Sequence, residues 1–175
     1  MKFIVSRFYT PKNVVLEYLL EGDACYFDTV GNSRFVDFEF LVDYLCFSSR
    51  DRREGVYSID GLDHYRRWIP RALKTPSAEK RDLLIQGKMD YAIPCIGENY
   101  PMYYDNKTNW ICCGDPDQTD TAVQFTEQAI AVLKNPFELS AIWMKPAFKA
   151  YSYEIMKSFA SATGTEESLI EINVG

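Results

Sequence analysis

The chain has 175 residues, 47% of them hydrophobic and 25% charged, and carries a net charge of −6. These values suit one globular domain that can bury a core without disulfide or metal staples. They speak against nucleic-acid binding, which needs phosphate neutralisation, and no stretch reaches the roughly 18 apolar residues of a membrane-spanning helix.

Charge is unevenly spread. Residues 1–87 hold 13 acidic and 13 basic groups, residues 88–175 hold 12 and 6, and all nine arginines fall between Arg7 and Arg81. Net negative charge therefore belongs to the second half, while a local arginine patch could still attract an acidic group. The cysteines (Cys25, Cys46, Cys95, Cys112 and Cys113) are odd in number and form no C-x-x-C pair. The start, MKFIVSRFYTPKN, lacks the apolar run and small-residue cleavage site of a signal peptide, so a reducing cytoplasm is expected.

In chain order, KFIVSRF (2–8) reads as a strand. In TPKNVVLEYLLEGD, Thr10 can cap a helix, with Pro11 in its first turn and Gly22 beyond its end; the valines leave a strand open. Residues 23–30 are ambiguous, with a strand ending near Gly31 as one reading. Residues 35–47 mix two periods, and the shared face of Phe38, Leu41, Val42 and Leu45 favours a helix. After the polar loop SSRDRREG, residues 59–87 read as helices broken at Pro70, restarted near Ser77 and stopped by Gly87. Residues 90–96 and 100–104 read as strands, and the turn DNKTN leads into the strand WICC.

Asp120 or Thr121 can cap a helix running to about Lys134, with Val123, Ile130 and Leu133 as its stripe. ELSAIWM reads as a strand. Pro146 opens a helix carrying Phe148, Tyr151, Ile155 and Phe159, and SLIEINV closes the chain as an edge strand. The sum is an α+β fold: a single domain over 1–175, with a mainly antiparallel or mixed sheet packed by four or five helices.

The segment CCGDPDQTD (112–120) raises the sharpest chemical question. Asp115 and Asp117 lie two apart and could both reach one Mg²⁺, with Asp120 close behind. Asp115, Asp117 and Thr119 match the D-x-D-x-T of haloacid-dehalogenase-type phosphoryl-transfer enzymes, in which the first aspartate attacks phosphate and the second is the general acid/base. That resemblance is set aside. Only 55 residues follow Asp120, and Glu127 and Glu138 lack the arrangement such an enzyme needs. An EF-hand is excluded by spacing, since Thr126 stands at the twelfth position. The expected role is local: Asp115-Pro116 makes a turn, and Asp120 caps the next helix. No cofactor is expected.

Cys112 and Cys113 point to opposite faces of a strand and cannot easily grip one metal. His64, the only histidine, has no recognisable nucleophile beside it.

Two segments read as contact surface. HYRRWIPRALK places Arg66, Arg67, Trp68 and Arg71 together, a composition that docks carboxylates or phosphates and supplies rigid aromatic area. GENYPMYYDNKTNW clusters Tyr100, Tyr103, Tyr104 and Trp110, with Tyr103 and Tyr104 on opposite faces of a strand. The preferred function is a non-enzymatic, cytoplasmic protein-binding protein that neutralises a basic partner. Its size and charge are similar to those of immunity proteins of bacterial toxin systems. The alternatives are a divalent-metal-dependent phosphohydrolase built on Asp115 and Asp117, and a homodimeric structural subunit paired through residues 168–175.

Overall fold

The computed structural model describes residues 2–12, 14–19, 24–29, 38–42, 45–49, 55–56, 58–60, 68–86, 101–118, 120–134 and 138–149. Among the described residues there are fifteen strands, numbered here in chain order, and no helix. The expected α+β fold is thus corrected to an essentially all-β one.

The centre is a seven-stranded sheet. Its spatial order is β7 (Ile69–Pro70), β10 (Met102–Asp105), β11 (Trp110–Gly114), β14 (Glu138–Met144), β13 (Ala129–Lys134), β12 (Thr121–Thr126) and β8 (Glu79–Lys80). The five inner strands are antiparallel, whereas the two-residue edges β7 and β8 run parallel to their neighbours. Three smaller sheets flank it. β1 (Lys2–Val5) pairs with β9 (Leu83–Gln86), and β2 (Val14–Leu19) lies between β15 (Ala147–Lys149) and β3 (Ala24–Thr29). The third joins β4 (Phe38–Val42), β5 (Leu45–Ser49) and β6 (Ser58–Asp60).

The helices expected over 10–21, 35–47 and 121–134 are replaced by β2, by the β4–β5 hairpin and by the β12–β13 hairpin. The helix expected from Pro146 begins instead as β15, and its remainder, like the closing strand 168–175, lies outside the described residues. The strand ELSAIWM coincides with β14. The turn after Tyr104 is present as well: Asp105 pairs with Trp110, and Asn109 takes the left-handed conformation (φ 60°) that a short polar side chain tolerates.

β11, β12, β13 and β14 form a Greek key, because β14 returns to lie beside β11. The connection from β11 to β12, residues 115–120, must therefore pass the ends of β14 and β13. That is three strand spacings, roughly 14 Å. A polar arch does this, with Asp115, Asp117 and Asp120 exposed. The segment leads from one strand into another and caps no helix.

Each face of the central sheet has its own apolar cluster. On one face Tyr104, Ile111, Cys113, Phe125, Leu133, Ile142 and Met144 join Phe3, Leu16, Tyr18, Phe47, Leu83, Ile85 and Phe148, so one cluster draws on all four sheets. Its aromatic centre is Trp68, whose ring centroid lies 5.0 Å from Tyr18 and 5.8 Å from Tyr104. On the other face Cys112, Ile130, Val132, Ala141 and Trp143 are buried.

That second face is covered by an extended strap, Arg71–Ala78, which starts at the edge β7 and ends at the opposite edge β8; Leu73 and Ala78 pack onto the cluster. Six strand spacings are roughly 29 Å in a flat sheet, and nine peptide steps reach at most about 32 Å. A helix, which advances only about 1.5 Å per residue, would not carry these residues from one edge to the other. Pro70 and Pro76 suit the extended path.

Two tight points fix the assembly. Gly114 (φ 110°) faces β14 so closely that a Cβ would fall on the carbonyl oxygen of Ser140 and 2.9 Å from Ala141 Cα, which only glycine avoids. Asp82, 6% exposed, accepts from Lys12 Nζ at 2.6 Å and from the Thr10 amide and hydroxyl at 3.1 and 2.9 Å. Lys12 also donates to the Phe125 carbonyl, tying residues 10–12 to β12.

Candidate surface site on the strap face

Backbone pairing builds this site. The Arg71 amide donates to the Tyr104 carbonyl, and the Leu73 amide donates to Asp105 Oδ2 at 3.0 Å, which lays the start of the strap along β10. Asp105 is itself buried and also accepts from the Lys107 amide at 2.9 Å. Hydrogen bonds from the Leu73, Lys107 and Thr108 amides hold its carboxyl below the usual carboxylate range, against the upward pull of burial. One side chain thus closes the β10–β11 turn and anchors the strap.

From this anchor the Arg71 side chain reaches the 115–120 arch. Its Nη2 donates to both carboxylate oxygens of Asp117, each at 2.8 Å, and its guanidinium carbon lies 5.4 Å from the Tyr103 ring centroid. The hydrogen bond to Asp117 raises the guanidinium pKa further above its ordinary value. Asp117 is in turn set by an Asx turn, its amide donating to Asp115 Oδ1 at 3.0 Å. Tyr103 stands half-buried beside the pair; Trp110, half-buried on the same face opposite Asp105, packs on the second cluster and meets Trp143 edge-on at 6.5 Å.

Two segments that sequence reasoning treated as rivals, the aspartate loop and the arginine-aromatic stretch, therefore meet at one place. Both oxygens of Asp117 are engaged by Arg71. Asp115 and Asp120 are exposed, and among the described residues no group of three or more His, Cys, Asp or Glu is arranged to hold a metal ion.

The other candidates separate. Trp68 and Tyr104, 3% and 1% exposed, belong to the main core and offer no area to a partner. Burial, with the nearby charge of Asp105, pushes the Tyr104 hydroxyl up to about 12, and that hydroxyl donates to Asn109 Oδ1. The helix expected around Trp68 and Arg71 is not formed, since residues 68–71 are extended. Arg66, Arg67, Tyr100 and His64 lie outside the described residues. Cys112 and Cys113 occupy the two opposite clusters, and burial raises the Cys112 thiol well above its ordinary pKa.

Sequence reasoning missed the anchors. Asp105 shows in the sequence only as a turn residue, and the pairing of Asp82 with Lys12 does not show at all, because the partners stand 70 positions apart. No local spacing signals such a pair.

Among the described residues no helix is long and apolar enough to cross a membrane. No family model matches the chain, and no curated protein matches it significantly.

Proposed function

We propose that the chain is a non-enzymatic protein-binding protein whose contact surface is the rim formed by Arg71, Tyr103, Trp110 and the 115–120 arch. The observation that carries this reading is the immobilised Arg71. Clamped by Asp117 and stacked near Tyr103, its guanidinium is exposed yet already ordered, so a partner loses little freedom in meeting it. Arginine, tyrosine and tryptophan are also the side chains that dominate binding energy at protein interfaces.

The charge of the partner follows from balance. Arg71 neutralises Asp117, while Asp115 and Asp120 of the arch are exposed and form no ion pair among the described residues; Glu138 stands opposite Lys134 across the β13–β14 pair. With a net charge of −6, a basic protein partner is favoured, and its approach would be steered electrostatically. Neutralisation of a basic toxin in the cytoplasm is the particular form we favour.

The test is affinity capture with the full chain and with Trp110→Ala and Tyr103→Ala variants. A basic protein should be retained in stoichiometric amount by the native chain and weakened about tenfold or more by either variant. Retention unchanged in both variants, or no stoichiometric partner at all, would sink the proposal.

A further inference from the structure

A second site lies at the other end of the strap. An open groove of about 540 Å³ is lined by Val5, Ala78, Ala122 and Val123, by the hydroxyl residues Ser6, Ser77 and Thr121, and by Arg7, Glu79 and Arg81. That volume suits a small organic molecule rather than a bare ion. The two arginines make it a positive spot on an acidic chain.

Arg81 is held in place. Its Nη1 donates to the Arg7 carbonyl at 2.5 Å, and its Nε and Nη2 donate to Glu79 Oε2 at 3.3 and 3.1 Å. A guanidinium has five N–H donors, so one on each terminal nitrogen remains for a ligand. Glu79 is the only acid in the lining, and its charge is offset by Arg81. Arg7 is exposed and forms no ion pair among the described residues, which leaves the groove with one uncompensated positive charge. No aromatic ring lines it, so a nucleobase would find nothing to stack on.

We propose that this groove binds a small phosphorylated polyol. Arg7 and the remaining donors of Arg81 take the phosphate, the hydroxyls of Ser6, Ser77 and Thr121 exchange hydrogen bonds with the polyol, and the small side chains of Ala78 and Ala122 give its carbon skeleton room. The site is independent of the Arg71–Trp110 rim.

Titration of the full chain with glycerol 3-phosphate, inorganic phosphate and glycerol, followed by amide chemical shifts of Ser77, Ala78, Thr121 and Ala122, tests it. Glycerol 3-phosphate should shift these amides and bind about tenfold or more tightly than inorganic phosphate, and glycerol should not bind. Arg7→Ala, which removes no ion pair among the described residues and keeps the carbonyl that accepts from Arg81, should weaken binding about tenfold. Lys134→Ala, an exposed lysine on another strand, should leave it unchanged. Inorganic phosphate binding as tightly as glycerol 3-phosphate, equal binding by Arg7→Ala, or no shift at millimolar concentration would each overturn the proposal.

Discussion

Asp82 carries a negative charge where the solvent is nearly shut out, and three donors make that tolerable. Burial alone would raise its carboxyl pKa, but the bonds from Lys12 and Thr10 outweigh burial and hold it below the ordinary value. Gly55 completes the fit, because a Cβ there would stand only 3.0 Å from Asp82 Oδ1 and Lys12 Nζ. Replacing Asp82 with Asn strands the Lys12 ammonium, with its side chain 11% exposed, at a cost of about 3–5 kcal/mol. The sign of the pH effect follows. A carboxyl depressed on folding adds stability above its unfolded value, near 3.9, and that stability is lost as pH falls through the folded value. Urea midpoints of the native chain should therefore fall below about pH 4, and Asp82→Asn should be less stable throughout with a shallower acid limb. An acid limb unchanged by the substitution would show that Asp82 titrates alike folded and unfolded.

At the scale of elements, the strap is the piece whose loss would be felt most. Removing the Asp105 carboxylate leaves the Leu73 and Lys107 amides without their acceptor and loosens the strap over the second cluster. Asp105→Ala should therefore speed labelling of Cys112 by a thiol reagent about tenfold or more while the chain stays folded, since each 1.4 kcal/mol of lost closure is tenfold in opening. Labelling at the native rate would mean that the strap holds without this anchor. The elements also differ in how legible they were. ELSAIWM and WICC stood out as strands because β-formers are bounded there by turn residues. The β12–β13 hairpin did not. β13 is buried on both faces from Ala129 to Leu133, so its apolar run loses the alternation of a half-exposed strand, and Val123, Ile130 and Leu133 then fall at helical spacing. Its two-residue turn, Glu127-Gln128, carries neither Gly nor Pro. The rim was half-legible for a similar reason: Arg71, Tyr103, Trp110 and Asp117 each stood out by residue type, but only the Greek-key arch and the strap bring them together.

For the molecule as a whole, the topology is dominated by pairings between distant segments. β1 meets β9, β15 meets β2, and the strap joins the two edges of the central sheet. Loop closure must precede such contacts, so refolding followed by tryptophan fluorescence should take milliseconds to seconds, and a microsecond phase carrying the full amplitude would contradict this architecture. Trp68 and Trp143, both buried, report the two faces of the sheet separately.

Because one run supplies both two-residue edge strands of the central sheet, a single cut at the exposed Lys74 would weaken the hold on both at once. Each flank would then offer free amides and carbonyls to a second molecule. A protease reaching the Lys74–Thr75 bond would thus leave β10 and β12 open to pairing with a further strand.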